Sequence, residues 1–445
     1  MLAVRPAGAA DGSQELKDIL AGVYAANPQI LAARSQLRAI NEAFPQAVSN
    51  WLPSLSVSGT YKHQLEKVDA APADTTRDRK RIRTGTLSYS QTLYRGGRNF
   101  ATLRQAEHQI RQQRNSLSET EQSVFLNVIT AYMNVIRDSK ILDLRINNVL
   151  VLEKILDNTK VQYDFRRRTQ ADLSQAEARL YRTKARRSLA DSAVENSFAS
   201  YFSLVGDLPG DLKMLVLPAP LPNDLTSAIE FGLENNFRIL SLRAAIDVAK
   251  ENVTILQGAR LPSISFDASA SKTLDQIKGA APRTDTTDFS GIFTLTVPLY
   301  QSGSEISRVR AALRVTTQRR EELENSVRSV RESIIRAWNG LKTSKDRIDA
   351  FKAQQFSAKV ALDSVSEELE VGRRTVLDLL DAEQELLDAK VNNIGAQRDS
   401  IVAAYTLLQS IGQLTPEYLD IDSEVYDADS DFRKVKWNLI TTDVE

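Results

Sequence analysis

From Arg98 to Val205 the chain contains neither glycine nor proline, and from Ser304 to Ile411 it contains no proline and only Gly340, Gly372 and Gly395. Runs of this length, rich in Ala, Leu, Glu, Gln and Arg, read as helix. Phe125, Val128, Ile129, Tyr132, Val135 and Ile136 follow the three-and-four spacing of an apolar stripe. A helix from residue 98 to about 163 would be roughly 100 Å long at 1.5 Å per residue. No compact domain needs such an element, so the chain is expected to build an elongated or coiled-coil-like assembly.

The two runs are related. "RRTQADLSQAEARL" at 167–180 aligns with "RRTVLDLLDAEQEL" at 373–386, and "LYRGG" at 93–97 with "LYQSG" at 299–303, both at an offset of 206. Gly206 and Leu208 recur as Gly412 and Leu414. "LPSLSVS" at 52–58 matches "LPSISFD" at 261–267 at an offset of 209, and "AANPQI" at 25–30 resembles "ENNFRI" at 234–239. Several motifs in one order define a tandem duplication. The expected organisation is an N-terminal stretch 1–13, disordered or a signal remnant, then a first repeat over 14–210 and a second over 211–415. A C-terminal segment, 416–445, is acidic in "DIDSEVYDADSDF" and is expected to be equatorial or a tail. The repeats place strands at about 52–62 and 84–95, then 261–272 and 288–299. Long helices follow at about 98–205 and 304–411.

Each strand alternates. Leu55, Val57, Gly59 and Tyr61 oppose Ser54, Ser56, Ser58 and Thr60; Ile264, Phe266, Ala268 and Ala270 oppose Ser263, Ser265, Asp267, Ser269 and Ser271. The second and fourth segments repeat the pattern, and each has about the 9–11 residues that cross a bilayer as a tilted strand. A soluble sheet with one wet face would alternate in the same way. The segments between paired strands, "KHQLEKVDAAPADTTRDRKRI" and "KTLDQIKGAAPRTDTTD", are expected to be the long polar loops of a membrane barrel. Strands in lipid must close into a barrel, and the smallest barrels use about eight. Four strands therefore require several chains to share one barrel; three would supply twelve.

Composition removes competitors. Lys plus Arg equals Asp plus Glu at 57 each, which gives no case for a nucleic-acid partner. The chain has no cysteine and only His63 and His108, which argues against disulfides, thiolate chemistry and zinc; no metal site and no cofactor is expected. No stretch is long and apolar enough for a transmembrane helix.

The paired "RRT" stretches fall where each long helix reverses. Gly372 suits the position after a helix end. Thr169 and Thr375, each with an aspartate three residues on (Asp172 and Asp378), have the form of capping boxes. Asp378 and Asp381 also resemble a catalytic acid pair. The first repeat has Gln175 where Asp381 stands, and no second cluster of catalytic residue types accompanies the aspartates, so no enzyme is expected.

Together, "ANPQI", "WLPSLSVSG", "LSYSQTLYRGGR", "LTVPLYQSG", "VGRRTVLDLLDAEQELLDA" and the duplication resemble the TolC family of outer-membrane efflux channels over about residues 14–420. The resemblance implies a mixed fold: long α-helical hairpins forming a trimeric periplasmic tunnel, and four β-strands per chain contributing to a shared twelve-stranded β-barrel. It implies a passive exit duct of a tripartite efflux or type I secretion system in the outer membrane of a Gram-negative bacterium. Its partners would be two further copies, a periplasmic adaptor (membrane fusion) protein, an inner-membrane transporter and outer-membrane lipid. The family's constriction falls on Asp378 and Asp381, and its gate latch on Arg374 with Asp172. Leu369 and Arg166 stand where the family pattern has a tyrosine and a glycine. The competing architecture is a structural coiled-coil or periplasmic adaptor protein, which leaves the four Ser/Thr-faced strands unexplained.

Overall fold

A computed structural model describes residues 12–70, 74–218, 220–277, 284–421 and 426–438. In chain order the elements are α1 (Gly12–Ala26), α2 (Pro28–Asn41), α3 (Ala43–Ser49), β1 (Ser54–Ala70), β2 (Asp74–Arg95), α4 (Arg98–Asp164), α5 (Gln170–Val205), α6 (Leu225–Asn235), α7 (Phe237–Gly258), β3 (Ser263–Ile277), β4 (Thr284–Thr296), α8 (Ser304–Glu370), α9 (Val376–Ser410) and α10 (Ala428–Val435). Each of α4 and α8 has 67 residues, about 100 Å of helix. No described helix is long and apolar enough to cross a membrane.

The duplication is written into the backbone. Positive φ occurs at Gly96, Gly97, Arg166 and Gly206, and again 206 positions on at Ser302, Gly303, Gly372 and Gly412. Asn27 and Asn236 break α1 from α2 and α6 from α7 in the same way. Each side-chain oxygen accepts from a backbone N–H two residues on, Gln29 and Arg238. Each amide donates to the carbonyl closing a long helix, Leu204 at 2.8 Å and Ser410 at 2.9 Å. The sequence marks this break; the long-range bond it makes could not be read there.

The chain forms two compact units. One comprises residues 1–36, 115–240 and 324–426, the other 37–114, 241–323 and 427–445. The first is helical, with Leu20, Phe125, Ile129, Tyr132, Met133, Ile239, Ile334, Leu407 and Ile411 fully buried. A side chain at Gly232 would crowd this core, because a Cβ there would lie 2.5 Å from the Ile334 Cδ1 and 3.3 Å from the Ile411 Cα.

The same unit buries a charged group. The Arg34 guanidinium lies 4.2 Å from the Tyr24 ring centre and 4.0 Å from the Glu121 carboxylate, and both charged residues are less than a tenth exposed. Burial pushes Glu121 up to about 7; Arg34 opposes the shift and Glu417 adds to it. The folded state therefore holds this proton more tightly than the unfolded chain, whose ordinary value is 4.5. The stability is fully present below that value and is lost as pH rises towards 7. A Glu121→Gln variant, which mimics the protonated acid, is expected to lack the fall in melting temperature that the parent shows between about pH 5 and 7. A calorimetric pH series checks this; parallel curves would contradict it.

The second unit carries the sheet, an antiparallel meander in the order β1-β2-β3-β4. Its strands outrun the expected ones. The β1–β2 ladder continues from Ser54↔Ser90 to Ala70↔Asp74, through the segment expected as a loop, and residues 71–73 lie outside the described residues. Ladder hydrogen bonds need backbone, not apolar side chains, so pairing persists where the hydrophobic alternation stops. On the apolar face Val57 and Phe289 are each 81% exposed. On the polar face Ser90 donates to Asp267 at 2.6 Å, and Ser269 meets Ser290 at 2.9 Å. Trp51, before β1, packs edge-on against Phe100 at 5.4 Å.

Candidate functional site

The two helical reversals, both in the first unit, use one chemistry. After α4 the Arg166 and Arg167 N–H groups bond back to Tyr163 and Gln162, each at 2.8 Å. After α8 those of Gly372 and Arg373 bond back to Leu369 and Glu368, at 3.1 and 2.8 Å. This closing motif requires a left-handed residue. Gly372 (φ +75°) supplies it freely, whereas Arg166 (φ +56°) holds it at a cost of about 1 kcal/mol. The chain then re-enters helix through capping boxes. Thr169 accepts from the Asp172 N–H at 3.1 Å, and Asp172 Oδ2 accepts from the Thr169 N–H and hydroxyl. Thr375 and Asp378 repeat every bond. Those hydrogen bonds, from backbone first and hydroxyl second, hold Asp172 and Asp378 below the usual carboxylate range.

Arg374 does not reach Asp172 in this chain. Its Nε donates to Glu368 at 2.8 Å, as Arg168 donates to Gln162 at 2.8 Å in the first repeat. The reason is local. Asp172 is already engaged by its cap, and six residues back along each turn lies an acceptor that its arginine reaches without leaving the turn. The expected Arg374–Asp172 latch is therefore absent within one chain.

A different cation meets the candidate constriction. Arg179 on α5 forms an ion pair with Asp381 on α9. Two turns along the same seam, Arg186 donates to Gln384 at 3.2 Å. Arg182 lies between them and is lowered from the usual arginine value, by burial first and then by Arg179 and Arg186. Sequence reading passed over Arg179. The signal was present, as arginines at 179, 182 and 186 share one helical face opposite acids at 381 and 388.

Helix α9 divides into sectors at this end. Val376 and Leu380 pack with Val149, Leu152 and Leu180, binding α9 to α4 and α5. Leu379, Ala382 and Leu386 pack with Ala358 and Leu362, binding α9 to α8. Asp378 and Asp381 fall about 60° apart in the remaining sector at 100° per residue. Each commits one carboxylate oxygen, Asp378 Oδ2 to its cap and Asp381 Oδ1 to Arg179, and leaves the other without a hydrogen bond among the described residues. Such carboxylates attract cations. No cluster of acids and histidines able to hold a metal occurs among the described residues.

Comparison with known proteins agrees with this architecture. The family model described as outer membrane efflux protein matches residues 22–207 and 229–413, one segment per repeat. The chain is 29% identical over 429 residues to the outer membrane efflux protein BepC of Brucella suis biovar 1, covering 96% of this chain and 92% of that protein. It is 26% identical over 398 residues to the outer membrane protein TolC of Vibrio cholerae serotype O1, covering 88% and 89%. Among solved structures, the Campylobacter jejuni CmeC outer membrane channel superposes with a TM-score of 0.77 over 96% of this chain and 90% of its own, at 17% identity. With a matching model over both repeats, the chain belongs to the outer membrane efflux protein family.

Proposed function

We propose that three copies of this chain form a passive export duct: a shared twelve-stranded barrel in the outer membrane continued by a helical tunnel in the periplasm. The observation that carries the reading is the four-stranded sheet, polar on one face and exposed and apolar on the other, whose strands lead directly into helices about 100 Å long. A free sheet of this kind satisfies neither its edges nor its apolar face in water. In a closed barrel the Ser/Thr face lines water and the apolar face meets lipid.

The gate lies at the α8–α9 turn. In a trimer Asp378 and Asp381 stack as two rings of three carboxylates, which favour cations. Arg179 acts as the latch of this chain, holding Asp381, and thus α9, against α5. Partly exposed pairs of this kind contribute up to about 1 kcal/mol each, so the apolar cluster around Leu380 supplies most of the closing energy. A periplasmic adaptor protein and an inner-membrane transporter would complete the duct and supply the energy, since no nucleotide-binding loop occurs in the sequence.

Fractionation tests the reading. The protein is expected in the outer-membrane fraction, to need detergent for extraction, and to give discrete conductance steps in planar bilayers. A protein that stays soluble without detergent and gives no steps would return the coiled-coil adaptor alternative to first place.

A further inference from the structure

Towards the hairpin ends, the apolar face of the sheet turns cationic. On this face Arg83 stands directly opposite Tyr61 on β1 and Leu274 on β3, and Arg81 stands opposite His63. The Arg83 guanidinium lies over the Tyr61 ring, 5.9 Å from its centre. Lys272 pairs with Gly85 and is therefore diagonal to Arg83. Diagonal neighbours of this kind lie about 7–8 Å apart, and Arg81 lies about 6.6 Å from Arg83 along its own strand. Three long cationic side chains can thus converge on one point. All three are exposed, and none of their side chains makes an ion pair or a hydrogen bond among the described residues. Asp285, the acid on this face among the described side chains, is diagonal to Lys272 and offsets at most one of the three charges.

The surface beside the cations is open. Gly59 and Gly85 are paired next to Lys272, and a Cβ on either would meet no atom within 4 Å. Towards the other end of the strands the same face continues as an apolar groove of about 360 Å³. Leu87, Ala270 and Phe289 line it in one row, Tyr89, Ala268 and Gly291 in the next. Clustered cations above an apolar groove suit a ligand with an anionic head and an apolar chain.

The duplication does not explain the two arginines. At an offset of 206, Arg81 and Arg83 become Thr287 and Phe289. Phe289 is 81% exposed on the apolar face. In a shared barrel, equivalent positions of the two repeats lie at one depth, so Arg83 sits as deep as that phenylalanine. A cation at such a depth needs water or an anion. One long side chain can lift its head to water, but converging heads repel unless an anion sits between them. No described acid stands between the arginines, so the anion comes from outside the chain. Guanidinium groups match phosphate oxygens with paired hydrogen bonds, and lysine adds a point charge.

We propose that Arg81, Arg83 and Lys272 bind a phosphate of lipopolysaccharide, the acylated and phosphorylated glycolipid of the outer leaflet, and that one of its acyl chains lies in the groove between Leu87 and Phe289. The site depends on the export-duct reading, which sets the hairpin ends at the cell surface. Helices α4 and α8 follow the opposite ends of β2 and β4, so a phospholipid of the inner leaflet meets the far end of the sheet.

Native mass spectrometry of the purified, delipidated protein in detergent tests the site, with bisphosphorylated lipid A as the probe. The Arg81→Gln/Arg83→Gln variant is expected to bind it at least about tenfold more weakly, because hydrogen bonds to charged groups hold the phosphate. Lys62→Gln removes a cation from the polar face at the same end of β1 and is expected to leave binding unchanged. Lipid A stripped of its phosphates is expected to bind the parent no better than intact lipid A binds the double variant. Equal affinity in parent and double variant, an equal loss in Lys62→Gln, or tighter binding of phosphatidylglycerol would overturn the site. Displacement of lipid A by an equal concentration of inorganic phosphate would make it a free-anion site and overturn the lipid as its ligand. A conducting oligomer whose lipid A binding ignores the arginines contradicts this site alone. A soluble protein that neither conducts nor binds lipid A contradicts the export-duct reading beneath it.

Discussion

Leu380→Ala is expected to open the channel. Leu380 is 2% exposed in the cluster with Val149, Leu152, Leu180 and Val376, the contact that holds α9 to α4 and α5. Truncating a buried leucine to alanine costs about 2–5 kcal/mol. In the proposed gate, opening separates α9 from α4 and α5, so most of that loss falls on the closed state. A bias of about 3 kcal/mol multiplies the open-to-closed ratio by roughly a hundred. Leu362→Ala provides the comparison. Leu362 lies in the cluster that holds α9 to its own hairpin partner α8, so its truncation is expected to lower the melting temperature without raising conductance. Single-channel recordings of both variants separate a gate contact from a merely stabilising one. Equal conductance in the two would remove Leu380 from the gate.

The second large effect separates the two uses of one aspartate. Asp378 and Asp172 make the same capping box in the two repeats, and removing either is expected to destabilise its turn. In the proposed trimer only Asp378 belongs to the constriction. Asp378→Ala and Asp172→Ala should therefore lower stability alike, while only Asp378→Ala lowers cation preference. Asp381→Asn should lower cation preference with little loss of stability, because its pair with Arg179 is partly exposed. Arg179→Gln should act in the opposite sense on selectivity, since it frees the Asp381 carboxylate and loosens α9 from α5. Reversal potentials under a salt gradient, with thermal melts of the same preparations, check all four. Loss of selectivity in Asp172→Ala would place the effect in turn geometry rather than in charge.

Local chemistry was legible in the sequence where it repeats. The absence of helix breakers announced the long helices, and the T-x-x-D pattern marked the returns at Thr169 and Thr375. Alternation located the strand segments near the bilayer-sized core of each hairpin. It could not give the hairpin lengths, because charged residues beyond Tyr61 carry no apolar period while their backbones continue to pair. Within one chain Arg374 keeps to its own turn for a related reason. A turn offers its own acceptor, Glu368, and spacing within a turn is closer than any contact between turns. Arg179 lies outside the repeated residues (its counterpart is Glu385), so the duplication does not mark it. Its pairing with Asp381 follows from how α5 meets α9, which packing decides.

Asp378 and Asp381 are proposed to line the narrowest point of a conducting pore. The most direct measurement is the reversal potential of the purified protein in planar bilayers under a potassium chloride gradient, beside the Asp378→Asn/Asp381→Asn double variant. The account predicts a cation-selective channel whose preference falls to near that of free solution in the variant, with conductance steps retained. A channel whose reversal potential is the same with and without the two carboxylates would contradict it.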